Sequence, residues 1–167
     1  MKKPTVYLDT SVISACWHEA MDVFLLARHF NTRDWWDKER ELFEVFASAV
    51  TEDELAAGSF RRQSECLKMA RRLRYLPITG EVTLWSQRLL DERLIPKEKP
   101  RDALQLALAI VHQMDYLLTW NYAHLANPVA QAKVVELCRK ESLRPPSLVS
   151  PESMPKSWLG QAIRRPK

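Results

Sequence analysis

Three carboxylates and one amide stand where apolar runs give way to polar ones. Asp9 follows Val6-Tyr7-Leu8 and precedes two hydroxyls, Thr10 and Ser11. Glu54 lies just beyond a second apolar run, Asp102 opens a long apolar stretch, and Asn121 follows Leu117-Leu118-Thr119. Carboxylates brought together repel, and their pKa values rise unless a cation compensates. An all-oxygen site suits Mg²⁺ or Mn²⁺. A water on such an ion can attack a phosphodiester while the ion offsets charge growing on the phosphate. That is nuclease chemistry, provided the four residues meet. Taken singly, each has a plainer reading. Asp9 and Asn121 are also turn residues, Asp102 suits the first turn of a helix, and Glu54 adjoins Glu52 and Asp53 on what could be a solvated face.

The elements that would position them alternate. Residues 4–9 read as a first strand, and 11–30 as helix, broken near His18. Asn31-Thr32-Arg33-Asp34 offers a cap, with Asp34 starting an aromatic-rich helix that carries Trp35, Trp36, Leu42, Phe43 and Phe46. Ala47 to Val50 is strand-like, and a helix from Thr51 or Glu52 stops at Gly58. Residues 60–73 are an amphipathic helix with Cys66, Met69, Ala70 and Leu73 inward. Tyr75 to Thr79 reads as a strand, and 80–93 as a helix. Residues 101–111 are apolar nearly all round and so form a buried helix, with Pro100 just before its start. Then follow a strand at 115–119, a helix at 128–140 and an edge strand at Leu148-Val149. Strands alternating with helices give an α/β fold: a three-layer α/β/α sandwich around a parallel sheet of four to five strands. In parallel sheets the strands' carboxyl edge is where ligands bind, so all four residues can share that edge. The domain spans 1–150, and 151–167 is a basic tail.

Composition removes alternatives. The chain has only Gly58, Gly80 and Gly160, too few and too scattered for a phosphate-cradling loop or a dinucleotide fingerprint. Cys16, Cys66 and Cys138 are far apart, which argues against disulfides and a zinc knuckle. No apolar run reaches the roughly 18 residues of a membrane span. The N-terminus enters a strand directly and its apolar stretch is too brief for a signal peptide, so a cytoplasmic protein is expected. Net charge is +4, a weak pointer to a polyanionic partner. It gains weight from Arg61–Arg74, where six basic residues face one acid, Glu65. Arg61, Lys68 and Arg72 share a side of that helix and could track a phosphate backbone or simply be solvated. A phosphatase using Asp9 as nucleophile would want a second Asp at position 11, where Ser11 stands.

In these residues the chain resembles the PIN-domain ribonucleases, and more narrowly the VapC-like toxins of bacterial toxin–antitoxin pairs. The likeness rests on Tyr7-Leu8-Asp9-Thr10-Ser11, Glu54-Leu55-Ala56-Ala57-Gly58, Asp102-Ala103-Leu104-Gln105-Leu106-Ala107, and Leu117-Leu118-Thr119-Trp120-Asn121 on to His124 and Asn127. Their order and spacing carry it across roughly residues 5–150. The resemblance implies a PIN-like sandwich, cleavage of single-stranded RNA with Mg²⁺ or Mn²⁺, a homodimer and a small antitoxin partner. It implies Asp9, Glu54 and Asp102 as metal-binding acids and places Asn121 with them in the catalytic set. Many members carry an acid at the position of Asn121, so a second metal is less favoured here. Members of this branch often have His where Gln105 stands. His124 could touch phosphate or be structural. The competing reading is a PIN fold that binds RNA or protein without cutting.

Overall fold

The computed structural model describes residues 2–17, 19 and 22–155. Five strands form one parallel sheet: β1 (Thr5–Leu8), β2 (Glu44–Ala47), β3 (Arg74–Tyr75), β4 (Tyr116–Leu118) and β5 (Ser147–Val149), in the order β3-β2-β1-β4-β5. The helices are α1 (Thr10–Trp17), α2 (Val23–Lys38), α3 (Ala49–Ala57), α4 (Gln63–Ala70), α5 (Gly80–Asp91), α6 (Pro100–Val111) and α7 (Pro128–Lys140). Short 3-10 turns occupy Arg40–Leu42 and Pro151–Ser153.

All four residues of β1 are buried, because it lies mid-sheet with both faces covered. Side chains alternate along a strand. Tyr7 therefore packs with Leu117, Leu106, Leu89 and Val134 of the α5–α6–α7 layer. Val6 and Leu8 pack with Tyr116, Leu118, Ile13, Trp35 and Cys66 of the α1–α2–α4 layer. These two clusters are the two interfaces of an α/β/α sandwich, as the alternation of elements predicts. Strand order reverses at β1, whose neighbours are β2 and β4. The crevice beyond the ends of β1 and β4 is thus the topological switch point, where open parallel sheets bind ligands.

Several boundaries differ from the sequence reading. The second strand is Glu44–Ala47, not Ala47–Val50. Ser48 caps α3 by accepting from the Thr51 N–H, so Ala49 and Val50 already belong to the helix. Asn31–Asp34 is no cap: α2 runs unbroken through it, and its true N-cap is Asp22, which accepts from the N–H groups of Phe24 and Leu25. Thr32 turns its hydroxyl onto the Arg28 carbonyl, 2.7 Å away, and accepts from the Trp120 indole at 2.8 Å. A buried tertiary contact thus outweighs the local capping preference. β3 is only two residues long, ahead of Pro77, which has no N–H to continue a ladder. The helix expected at 60–73 shortens to α4, preceded by Arg62 in the left-handed region at φ 68°. The break expected near His18 falls between α1 and α2, although His18 itself lies outside the described residues.

Gly58 ends α3 with an extended backbone. Its lack of a side chain serves a close approach, since a Cβ there would sit 2.7 Å from the Phe60 ring. The three cysteines are buried and free. Burial pushes the Cys16 thiol up to about 12 and those of Cys66 and Cys138 to about 11, which makes them poor nucleophiles. Packing continues to Met154, which is buried. The tail basic residues Lys156, Arg164, Arg165 and Lys167 lie outside the described residues. Among the described residues, no helix is long and apolar enough to cross a membrane.

Candidate active site

β1 delivers Asp9 to the switch point and β4 delivers Thr119, Trp120 and Asn121 beside it. The Asp9 N–H donates to the Leu118 carbonyl at 3.0 Å, continuing the ladder just past both strands. Asp9 is buried, and its Oδ2 accepts from the Ser11 hydroxyl at 2.6 Å and from the Thr119 hydroxyl. Each of these hydroxyls is itself held by backbone. Ser11 Oγ accepts from the Trp120 N–H at 3.0 Å, and Thr119 Oγ1 from the Asn121 N–H at 3.0 Å. The start of α1 and the end of β4 are therefore laced together around one carboxylate oxygen.

Glu54 comes from the middle of α3. Its Oε2 accepts from the Thr10 hydroxyl and from Gln105 Nε2, the latter at 2.9 Å. Asp102 comes from the first turn of α6, and its Oδ2 accepts from Asn121 Nδ2 at 2.9 Å. Among the described residues, each of the three carboxylates keeps one oxygen on protein donors and the other free of any protein hydrogen bond.

The charges feel one another. Burial raises the Glu54 carboxyl above its ordinary range; the Thr10 hydroxyl and Arg101 oppose this, while the charges of Asp9 and Asp102 add to it. Burial likewise raises Asp102, opposed by the Asn121 amide and by His124 and Lys99, and reinforced by Asp9. This is the electrostatics of acids drawn together with too little positive charge between them.

Sequence reasoning named Asp9, Glu54, Asp102 and Asn121, and the fold brings all four to one crevice. Asn121 is committed at both ends, since its Oδ1 accepts from the His124 N–H at 3.0 Å while its Nδ2 holds Asp102. It therefore orients Asp102. Two participants were missed or left without a role. Thr119 binds Asp9 directly, and a hydroxyl at the end of a strand paired with β1 was the available signal. Gln105 is buried on α6 and bridges Glu54 and Thr10, with Oε1 lacking a partner among the described residues. A polar residue inside an otherwise apolar helix was the signal for it.

The donor chemistry fits a hard divalent cation: three carboxylates with free oxygens, ringed by hydroxyls and amides, with an orphaned buried carbonyl oxygen on Gln105. The spacing is looser than the chemistry. Among the described residues, no group of three or more His, Cys, Asp or Glu side chains is arranged to hold a metal ion.

The basic run 61–74 is largely committed elsewhere. Arg61 and Arg62 pair with Glu19, Arg62 also with Glu65, Arg71 with Glu52, and Arg74 with Glu44. Lys68 and Arg72 line a cavity of about 370 Å³ with Arg40, Trp17 and Trp36.

A parallel α/β domain with acids gathered at its switch point belongs to the class of open-sheet folds that bind ligands at that edge. The chain belongs to the PIN-domain family, whose model matches residues 6–125, well over half of its length. PIN domains are generally metal-dependent nucleases. No curated protein and no solved structure matches the chain.

Proposed function

We propose that this protein is an endoribonuclease that hydrolyses phosphodiester bonds of single-stranded RNA with Mg²⁺ or Mn²⁺, as a VapC-like toxin does. The observation that carries the reading is the meeting of Asp9, Glu54 and Asp102, each with an oxygen to spare, at the switch point of a PIN-family sheet. These three acids would hold the ion, which when bound supplies the positive charge that offsets charge on the scissile phosphate and activates water. Ser11 and Thr119 hold the Asp9 carboxylate in place. Thr10 and Gln105 orient Glu54, and Asn121 orients Asp102.

A homodimer and a small antitoxin belong to the same proposal. They find support in the exposed apolar start of α2, where Val23 is 68% exposed, Phe24 75% and Phe30 62%. The test is RNA cleavage by purified protein with Mn²⁺. Asp9→Asn and Asp102→Ala should each reduce it to background while circular dichroism stays native. Activity that survives both substitutions would end the proposal.

One observation favours the alternative of a PIN fold that binds without cutting. Asn121 brings an uncharged amide to Asp102, and among the described residues no three acids are grouped closely enough for an ion. Calorimetry separates the two readings: no heat with Mn²⁺, alongside tight RNA binding, selects the binding module.

A further inference from the structure

A groove of about 580 Å³ is formed by the connection between α5 and α6 on one wall and the start of α7 on the other, and it is also lined by Ala123 and His124, which follow Asn121 in the chain. Its walls carry Arg93, Lys97, Lys133 and His124, against one acid, Glu98. Arg93, Lys97 and Lys133 are exposed, and among the described residues none of them is in an ion pair. That separates them from the basic run 61–74, where four of the six cations are already paired with acids. The wall is also held in shape. The Leu94 and Ile95 N–H groups both donate to the Leu89 carbonyl, and Ile95 is buried beneath it. Arg93 takes a left-handed backbone at φ 52°, which turns the chain out of α5 into the wall.

His124 links the groove to the acids: it lines the groove, and its N–H donates to Asn121 Oδ1, whose Nδ2 holds Asp102. The charges of His124 and of Lys99, two residues beyond Lys97, also lower the Asp102 carboxyl. Beyond Lys133, a smaller groove contains Glu92 and Glu136, both neutralised by Arg88 and Lys140. The groove that His124 links to Asp102 thus carries net positive charge. A polyanion entering the crevice meets carboxylates at its scissile bond and needs cations alongside to offset that repulsion.

We propose that this groove is a binding site for the RNA backbone flanking the cleavage point, with phosphates resting on Arg93, Lys97 and Lys133. The assignment rests on RNA being the substrate, and it moves the RNA track from α4 to the α5–α6 connection and α7.

The test is binding of a labelled single-stranded oligouridylate to the full chain in EDTA, followed across a salt series. No cleavage is needed for this readout. Lys97→Ala/Lys133→Ala should weaken binding about tenfold at low salt and flatten the slope of log K against log salt by ~1.4, about 0.7 for each phosphate deprived of its lysine. Lys68→Ala/Arg72→Ala, the α4 variant, removes the same charge from α4 and the turn after it and should leave both affinity and slope near wild type. With Mn²⁺, the groove variant should raise KM on long RNA without lowering kcat. Wild-type affinity and slope in the groove variant would overturn the assignment, as would an equal loss in the α4 variant or no binding by the wild-type chain. Salt-dependent binding that needs the groove, with no cleavage under any metal, would sustain the groove and sink the ribonuclease reading alone.

Discussion

Glu54 shows how one residue reports on the whole crevice. Its carboxyl is raised by burial and by the charges of Asp9 and Asp102, so its ionised form works against folding. In a state whose carboxyl pKa lies above the unfolded value, that cost is absent below the unfolded pKa of about 4.3 and is felt in full above the folded one. Glu54→Gln should therefore raise the melting temperature in divalent-free buffer by about 2–4 °C at pH 7, and the gain should shrink as pH falls toward about 4. Thr10→Val acts in the opposite direction. It removes the hydroxyl that lowers the Glu54 carboxyl, so the variant should melt lower than wild type at pH 7, with the difference again fading in acid. Thermal melts at several pH values measure both. A flat pH profile for Glu54→Gln would mean that its carboxylate is not in a repelling set.

At the scale of elements, the crevice depends on β4 keeping its register with β1. Asp115, just ahead of β4, is fully buried and accepts from the Thr5 N–H at 2.8 Å and the Thr5 hydroxyl at 2.9 Å, and it is paired with Arg144. Burial pushes its carboxyl up, but the Thr5 and Arg144 contacts outweigh that and hold it below the usual range. Here the folded pKa is depressed. The stabilisation is present above the unfolded pKa of about 3.9 and is lost as pH falls through the lower folded value. Asp115→Ala breaks the pair and leaves Arg144 and Thr5 without their acceptor. It should cost about 3 kcal/mol, or ~6–12 °C in melting temperature, at neutral pH and much less in strong acid. Denaturant titration against wild type checks it. The exposed start of α2 belongs to the same scale. Phe24→Glu should convert a dimer to a monomer by light scattering while leaving the melting temperature within a degree or two, since Phe24 stands outside both core clusters of its own chain. A wild-type chain that is already monomeric would remove the dimer from the proposal.

At the scale of the molecule, the sandwich was legible because apolar strand-like runs alternate with helical stretches, of which α4, α5 and α7 each show an apolar face. The α/β order followed from that alternation, and the buried character of α6 from its nearly continuous apolar surface. Asp9, Asp102 and Asn121 were legible because each stands at or near an element's end, and ends of parallel elements crowd one edge of a sheet; Glu54 stands in the middle of α3 and was legible from its place after the second apolar run. Boundaries were less so. Asn31–Asp34 reads as a cap and Ser48 as part of a strand, and packing reversed both: Thr32 is drawn into a helix interior by the Trp120 indole, while Ser48 caps α3. The sequence alone therefore determined which elements exist and which acids end near them, since hydrophobic periodicity and residue type are local properties. Tertiary structure alone decided who holds those acids. Thr119, Gln105 and Asn121 reach Asp9, Glu54 and Asp102 from segments remote in the chain, and cations of the 61–74 run are spent on acids that no linear spacing pairs with them. Hydrogen bonds and ion pairs act over about 3 Å, so only the folded chain can settle them.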